Sequence, residues 1–422
     1  MANGFSKEEI VAFDEMLMGF DDMLVQSRMV RKYNTDQQMM ERANDTIYRP
    51  MPYIAQSYSG SDATGNFGDN TQLSVPATIG FQKHSTATLD AKELRDLLQE
   101  KRLGQAAAQK LASDINISVQ DVAANQGTIV VARTGAASGY DDVSEVDATM
   151  NVLGVNFNDR CALYSSRDYN NMASDIAGRQ TMGPKVTKAY ERSYVGVVAG
   201  IDTYKSDYTR RLTAAAGTGV TVNGAGQFYT PAAQSKAATG ETSNVDNRYQ
   251  NLDITVTSGT VKVGDAFTLA GVNSVHHITK EDTGELKTFR ITAIVSGAGG
   301  TGTVQISPPI ISNGGSTDAE AQYQNVTATP ANGAAITFLN TADAAVNCFW
   351  HMDAIELLPA RLAVPTNAGA DILRSTVDQG IEVVMQKQFD INTQKTKYRW
   401  DVLYGTVNLQ PEMTGIQLFS QP

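Results

Sequence analysis

TLDAKELRDLLQEKRLGQAAAQKLASDINISVQDVAANQG, residues 88–127, is the stretch on which the reading of the fold turns. Asp90 followed by Glu93 has the spacing of a capping box, and Gly127 stands where a left-handed terminator belongs, so both ends of a helix are marked. Leu94, Leu97 and Leu98 open an apolar stripe that resumes through Ala108, Leu111, Ala112, Ile115, Val119 and Val122 in steps of three and four. A helix over Asp90–Gln126 would be a rod of about 55 Å, several times the ordinary three-turn length, and would act as a spine. Lys101, Arg102, Gly104 and Gln105 interrupt the stripe, which predicts a bend or a close contact near Gly104, or else two shorter helices broken there.

Outward from that rod, the totals bound the class of protein. A chain of 422 residues has room for two or three domains. With 34 basic against 45 acidic side chains its net charge is −11, which disfavours a surface built to grip nucleic acid or acidic lipid. Cys161 and Cys348 are too few for a disulfide framework and read as free thiols. The start, MANGFSKEEI, lacks the basic and apolar regions of a secretion signal, and no apolar run approaches the length of a membrane span; a soluble protein made inside a cell is expected.

Ser6 and Glu9 suggest a second capping box, leading into Ile10, Phe13, Met16, Leu17, Phe20, Met23 and Leu24. The other side of this amphipathic helix carries Glu8, Glu9, Asp14, Glu15, Asp21 and Asp22, either as a solvated face or as a dock for a basic partner. From Pro50 to Lys83 small and polar residues dominate, which reads as an extended loop or hairpin. Loops of that length are uncommon in compact domains unless they are functional, and lying on a neighbouring subunit is one such function.

Beyond the rod, Thr128–Arg133 is a β-branched run, and helices over Val143–Met150 and Asp168–Gly178 flank a strand near Cys161–Tyr164; the class is α+β. Between Thr213 and Ala345 there is no Met or Trp, and Leu stands only at 252, 269, 286 and 339. Six short strands are predicted there, over Leu252–Thr257, Ala266–Ala270, Thr288–Val295, Thr303–Ser307, Asn325–Ala328 and Ala335–Leu339, as a small antiparallel barrel or sandwich. Met-bearing sequence on both sides makes it an insertion. Gly380–Phe389 and Lys395–Leu403, around the turn Asp390–Gln394, form a hairpin that closes the host sheet.

No pattern of catalysis accompanies this architecture. Gly297–Gly302 matches GxGxxG, but Thr303–Pro308 after it reads as strand, where a dinucleotide site needs a helix. His276 and His277 are adjacent, so on a strand they face opposite ways and cannot share an ion; His84 and His351 lack partners at ligand spacing. Walker, GxSxG and HExxH motifs are missing. The expectation is a structural protein with no catalytic, cofactor or metal residues.

The order of parts resembles the coat proteins of the P-twenty-two-like tailed phages, which have the HK-ninety-seven-like capsid fold with an added insertion domain. Local matches run through the chain: Asp14-Glu15, Leu94-Arg95-Asp96, Lys110-Leu111-Ala112, Gly219-Val220-Thr221-Val222, Asn244-Val245-Asp246-Asn247-Arg248, Gly264-Asp265, Phe349-Trp350, Asp353-Ala354-Ile355, Tyr404-Gly405 and Pro411-Glu412. The resemblance implies an N-terminal arm over 1–32 and a peripheral domain over 33–51 and 81–150 containing the spine helix. It further implies an E-loop over 52–80, an axial domain over 151–212 and 346–400, an inserted β-barrel over 213–345, and a C-terminal peripheral strand over 401–422.

It also implies a role: a major capsid protein that assembles with a scaffolding protein into an icosahedral procapsid of hexamers and pentamers, with a portal at one vertex. The procapsid then expands to enclose double-stranded DNA without sequence-specific binding; no membrane is involved, and the product is the virion shell, assembled in the host cytoplasm. Asp14 and Glu15 match the position that contacts scaffold. Gln234–Asn247 resembles a loop reaching an adjacent capsomer, with Asp246 and Arg248 as candidate charged contacts. An encapsulin-like nanocompartment shell is the alternative, disfavoured by the insertion and the acidic arm.

Overall fold

The protein is described by a computed structural model over residues 7–33, 46–52, 54–55, 59–64, 67–90, 97–178, 195–364 and 369–421. Two units are defined by internal packing: 1–47, 77–121 and 355–407 form the first, and 48–76, 122–354 and 408–422 the second.

In the first unit, Lys7–Met23 forms helix α1, burying Phe13, Met16, Leu17 and Phe20 at three- and four-residue steps. Leu97–Gln126 forms helix α2, unbroken through Gly104 and buried along Ala108, Leu111, Ala112, Ile115 and Val119. A Cβ added at Gly104 would stand 3.7 Å from Met16 of α1, so the interruption in the stripe marks a helix contact. Asn116 Nδ2 donates to Met23 O at 2.9 Å, satisfying a carbonyl at the end of α1.

The expected capping box is not the start of α2. Asp90 ends the strand Phe81–Asp90, opposite Lys395, because the alternating residues before it join a sheet; Glu93 and Leu94 lie outside the described residues. That sheet runs Arg31–Lys32, Ile355–Ala360, Lys395–Asn408, Glu382–Asp390, Asp371–Thr376, with Phe81–Asp90 also on Lys395–Asn408. Phe81 stacks on Tyr404 at 5.5 Å between ring centroids, at the far end of the register from Asp90.

The second unit holds a six-stranded mixed sheet in the order Ile129–Ala132, Thr414–Leu418, Asn347–His351, Arg160–Ser165, Ile201–Ser206, Val197–Val198. Helices α3 (Tyr140–Val152) and α4 (Ser166–Ala177) bury Val143, Val146, Met150 and Met172 in one core with Ile129, Ala162 and Phe349 from the sheet. Asp142 begins α3 by accepting from the N–H groups of Ser138 at 2.6 Å and Gly139 at 3.0 Å.

The Thr218–Phe338 region of the same unit is a six-stranded antiparallel sheet, ordered Thr218–Val222, Gln250–Ser258, Gly300–Ser307, Asp282–Ser296, Ala266–Val275, Ile336–Phe338. Gln250–Ser258 shows the period of two directly: Leu252, Ile254 and Val256 are buried while Asn251 and Asp253 are exposed. Phe267 stacks on Phe289 at 5.7 Å inside. The first strand meets the last segment through Val222 N to Ala334 O at 2.9 Å and Gly333 N to Val222 O at 2.8 Å, which closes a barrel.

Two strand predictions need correction. Asn325–Ala328 is not a strand but a single antiparallel bridge of Val326 to Ser274, with Val275 N on Asn325 O and Thr327 N on Asn273 O, both at 3.1 Å; Asn325 N and Val326 N turn away to Ile311 O. Thr218–Val222 is one, with Gly219 at φ +61°, beyond what its short glycine-bearing sequence signals. A fifth helix among the described residues, α5 (Asp318–Tyr323), follows the barrel's fifth strand in chain order, capped by Thr317 Oγ1 accepting from Glu320 N.

Candidate functional site

Nothing in the geometry gathers an active centre. Among the described residues, no three His, Cys, Asp or Glu side chains are placed to hold a metal ion. Cys161 and Cys348 are buried free thiols, and burial pushes the Cys161 thiol up, which keeps it protonated and inert. No helix is long and apolar enough to cross a membrane among the described residues. The features that carry function are surfaces and the pins that hold them.

The first surface is the outer side of α1. Glu9, expected as a capping residue on an exposed acidic face, is instead buried, and its Oε1 accepts from Lys387 Nζ and, at 3.2 Å, from Tyr398 OH. Ser6 lies outside the described residues. Asp14 is exposed, whereas Glu15 is ion-paired with Lys101 of α2. Beside Asp14 the helix exposes Val11 at 57% and Met18 at 66%. Residues 11, 14, 15, 18 and 22 fall on one face by helical spacing, so α1 has an apolar and acidic stripe opposite its buried one. The acidic pattern was visible in sequence; Val11 and Met18 fall outside the apolar run read there, and two members of that run, Ile10 and Met23, are themselves exposed, at 41% and 39%.

The second surface is a hairpin of the strands Gln234–Lys236 and Thr242–Asn244, exposed at nearly every position. Asp246 and Arg248 stand at its root and bond each other: Arg248 Nε to Asp246 Oδ1 at 2.8 Å and Nη2 to Oδ2 at 2.7 Å, with Nη1 on Asn408 O at 2.8 Å. Arg248 is 7% exposed. Burial alone would lower its pKa, but the Asp246 carboxylate outweighs that and raises it, so the guanidinium stays charged. Between them Asn247 bonds Ala232 in both directions, at 3.1 Å and 2.9 Å, and accepts from Tyr229 OH at 3.0 Å. The pair therefore braces the hairpin's base.

The third feature joins the barrel to the rest of its unit through one strand. From Asp282–Ser296, Lys287 Nζ donates to Glu412 Oε1 at 2.5 Å, Thr288 Oγ1 to Thr128 O at 2.7 Å, and Arg290 Nη1 to Ala124 O and Gly127 O at 3.1 and 3.2 Å. Arg290 thereby satisfies carbonyls at the C-terminus of α2. The segment 67–73 of the long loop is also tied within its own unit: Asp69 N to Asp318 Oδ2 at 3.1 Å, and Tyr323 OH to Thr71 O at 2.8 Å. None of these contacts joins residues near in sequence, so no local motif could have announced them.

Known proteins resemble this chain along its whole length. The P22 coat protein family, described as "P22 coat protein - gene protein 5", matches residues 1–420. The chain is similar to the CUS-3 coat protein I-domain at 45% identity, covering 29% of this chain and 95% of that one, with a TM-score of 0.23. It is similar to a solved structure from Mycobacterium phage Che8 at 10% identity over 93% of this chain and 90% of that one, TM-score 0.46. The capsid structure of cyanophage P-SCSP1u aligns at 11% identity over 93% and 86%, TM-score 0.42. With the family match reaching from the first residue to position 420, the chain belongs to the P22 coat protein family: it is a capsid protein of the phage virion shell, and not an enzyme.

Proposed function

We propose that this coat protein assembles with a basic scaffolding protein into an icosahedral procapsid of hexamers and pentamers, with a portal at one vertex, and that the shell later expands around double-stranded DNA. The observation that carries the scaffold reading is the outer stripe of α1, where Val11 and Met18 stand exposed next to Asp14. An exposed apolar stripe edged by carboxylates suits an amphipathic basic helix, which would bury the apolar residues and pair with the acids. The arm (1–32), the loop (52–80) and the barrel (213–345) are assigned to shell contacts on the same basis: long extensions cover a neighbour's surface, as heterologous interfaces require.

The hairpin at Gln234–Asn244 is proposed as the contact between capsomers. Asp246 and Arg248, paired with each other, serve it by holding its base in place. DNA is enclosed without sequence reading, consistent with the net charge of −11.

The test is co-expression with the neighbouring scaffold gene and electron microscopy of the particles. Asp14→Lys with Glu15→Lys is expected to leave the subunit folded and to reduce the yield of closed shells. A normal yield from the double variant would remove the docking role of α1.

A further inference from the structure

A cleft of about 510 Å³ in the second unit is lined by Arg210, Arg211 and Arg290 together with Asn125, Gln126 and Gln305. Among the described residues lining it, none carries a carboxylate. In a chain with more acidic than basic side chains, three guanidinium groups around one opening mark an electrostatic site, with Arg210 Nη1 also donating to Asn125 Oδ1 at 3.5 Å.

Arg290 is 2% exposed, and its hydrogen-bond partners are neutral carbonyls: Nε donates to Gly264 O at 3.0 Å and Nη1 to Ala124 O and Gly127 O. Nη2 has no acceptor among the described residues. Asp265, the carboxylate whose charge reaches it, is already engaged by Asn340 Nδ2 at 2.9 Å and Lys262 N at 3.0 Å. A buried cation bonded only to neutral carbonyls has its desolvation cost offset in part, and burial pushes Arg290 down to about 10 against the charge of Asp265. An anion in the cleft would offset that cost.

The rim is held rigid. Arg211 lies in a short strand paired with Ala345, and the carbonyl of Arg210 accepts from Val346 N at 2.9 Å. Gln305 receives Thr292 Oγ1 on its Oε1 at 3.0 Å, which leaves its NH₂ as a donor. Gln126 Oε1 is the contrasting group: a buried acceptor with no donor. A ligand that satisfies both kinds of group has several anionic oxygens and one hydroxyl.

We infer that this cleft binds inorganic hydrogen phosphate, with the arginines on its anionic oxygens and its P–OH donated to Gln126 Oε1. Guanidinium forks match phosphate geometry, and charge-assisted bonds of this kind are the strong ones. A phosphodiester of a nucleic-acid backbone and a sulfate both lack the hydroxyl at neutral pH.

Calorimetric titration of the full-length subunit at constant ionic strength tests this, with inorganic phosphate, sulfate, and a single-stranded oligonucleotide without terminal phosphates as three separate ligands. Saturable phosphate binding is expected, with sulfate weaker and the oligonucleotide weaker still. Arg210→Gln and Arg211→Gln should each weaken phosphate roughly tenfold, as loss of a charge-assisted bond does, without moving the unfolding midpoint measured in chloride. Arg290→Met tests the buried member, and the two rim variants keep the test valid if that protein does not fold. Failure of the wild type to bind phosphate, or undiminished binding by both rim variants, overturns the inference. Sulfate binding as tight as phosphate overturns the hydroxyl assignment, and tighter oligonucleotide binding replaces inorganic phosphate with the nucleic-acid backbone.

Discussion

Lys287 Nζ lies 2.5 Å from Glu412 Oε1, an ion pair between a barrel strand and the short helical turn Pro411–Met413 that leads into the strand Thr414–Leu418. Lys287 is 8% exposed by side chain, and Asn325 Nδ2 joins the same carboxylate oxygen at 3.1 Å. Removing one member leaves the other buried and uncompensated, so Glu412→Gln should cost about 3–5 kcal/mol. Urea unfolding of the free subunit followed by intrinsic fluorescence checks it; a loss within 1 kcal/mol, on the scale of an exposed pair, would show that the pair is solvated.

The same cluster sets a pH dependence. Burial raises the Glu412 carboxyl, but Lys287 first, then His277 and Lys280, outweigh it and hold it below 4.5. A carboxyl lowered on folding contributes stability that is whole above 4.5 and is lost as pH falls through the folded value. Burial lowers His277 beneath its ordinary 6.5, so unfolded chains take up that proton first and stability begins to fall below pH 6.5. Wild-type unfolding midpoints should therefore decline in two stages on acidification, and His277→Gln should remove the earlier stage and move the later one to higher pH, because one of the charges that hold Glu412 down is lost.

Arg160 should prove as important to folding as any apolar core residue. It is 2% exposed and donates to Asp147 Oδ1 at 2.5 Å, Asn151 Oδ1 at 2.8 Å and Asn156 O at 2.7 Å, which fastens the end of α3 to the strand Arg160–Ser165. Arg160→Met leaves those acceptors without donors and should cost about 3 kcal/mol or more. Arg160→Lys cannot reproduce the fork and should recover less than half of the loss, measured by the same denaturation.

Gly415 tolerates no side chain. A Cβ there would stand 2.7 Å from Ile129 O and closer still to the ring of Phe349. Gly415→Ala should cost about 1–3 kcal/mol through forced displacement of the ring and its strand, and should appear as heat-labile folding of the subunit in expression at two temperatures.

Deletion of Lys236–Ser243 should leave the monomer's denaturation curve unchanged, because those residues are exposed and bond chiefly one another. Shells built from it should dissociate at lower denaturant. Equal resistance of deleted and complete shells would remove this hairpin from the contacts between capsomers.

How much of this was legible in sequence differs by element. Helices α1 and α2 announce themselves because their apolar residues recur at helical steps over many turns, and the barrel strand Gln250–Ser258 because its alternation is strict. Asp90 misled because a capping residue and a strand end look alike when the six residues that follow are read as helix. Asn325–Ala328 misled because the pattern of Val and Thr gives no sign that pairing stops after one bridge, where Asn325 N and Val326 N turn to Ile311 O. For the surfaces, Asp14 and Glu15 could be found as a charge pattern, but the commitment of Glu15 to Lys101 and of Arg248 to Asp246 depends on how the chain is packed. Arg290 and the cleft beside it were invisible, since Gln126, the pair Arg210-Arg211 and Arg290 come from three separate parts of the chain.

The parallel pairing of Ile129–Ala132 with Thr414–Leu418 has a consequence for the order of events at the ribosome. Every strand of the barrel pairs inside Thr218–Phe338, so all its partners have been translated while the last stretch of the chain is still being made. Ile129–Ala132 has to wait for Thr414–Leu418, and until that strand arrives its edge is open to any other nascent chain nearby. The later-translated strand thus covers one side of Ile129–Ala132, and slowing elongation before it lengthens the interval in which a chaperone has that side to hold.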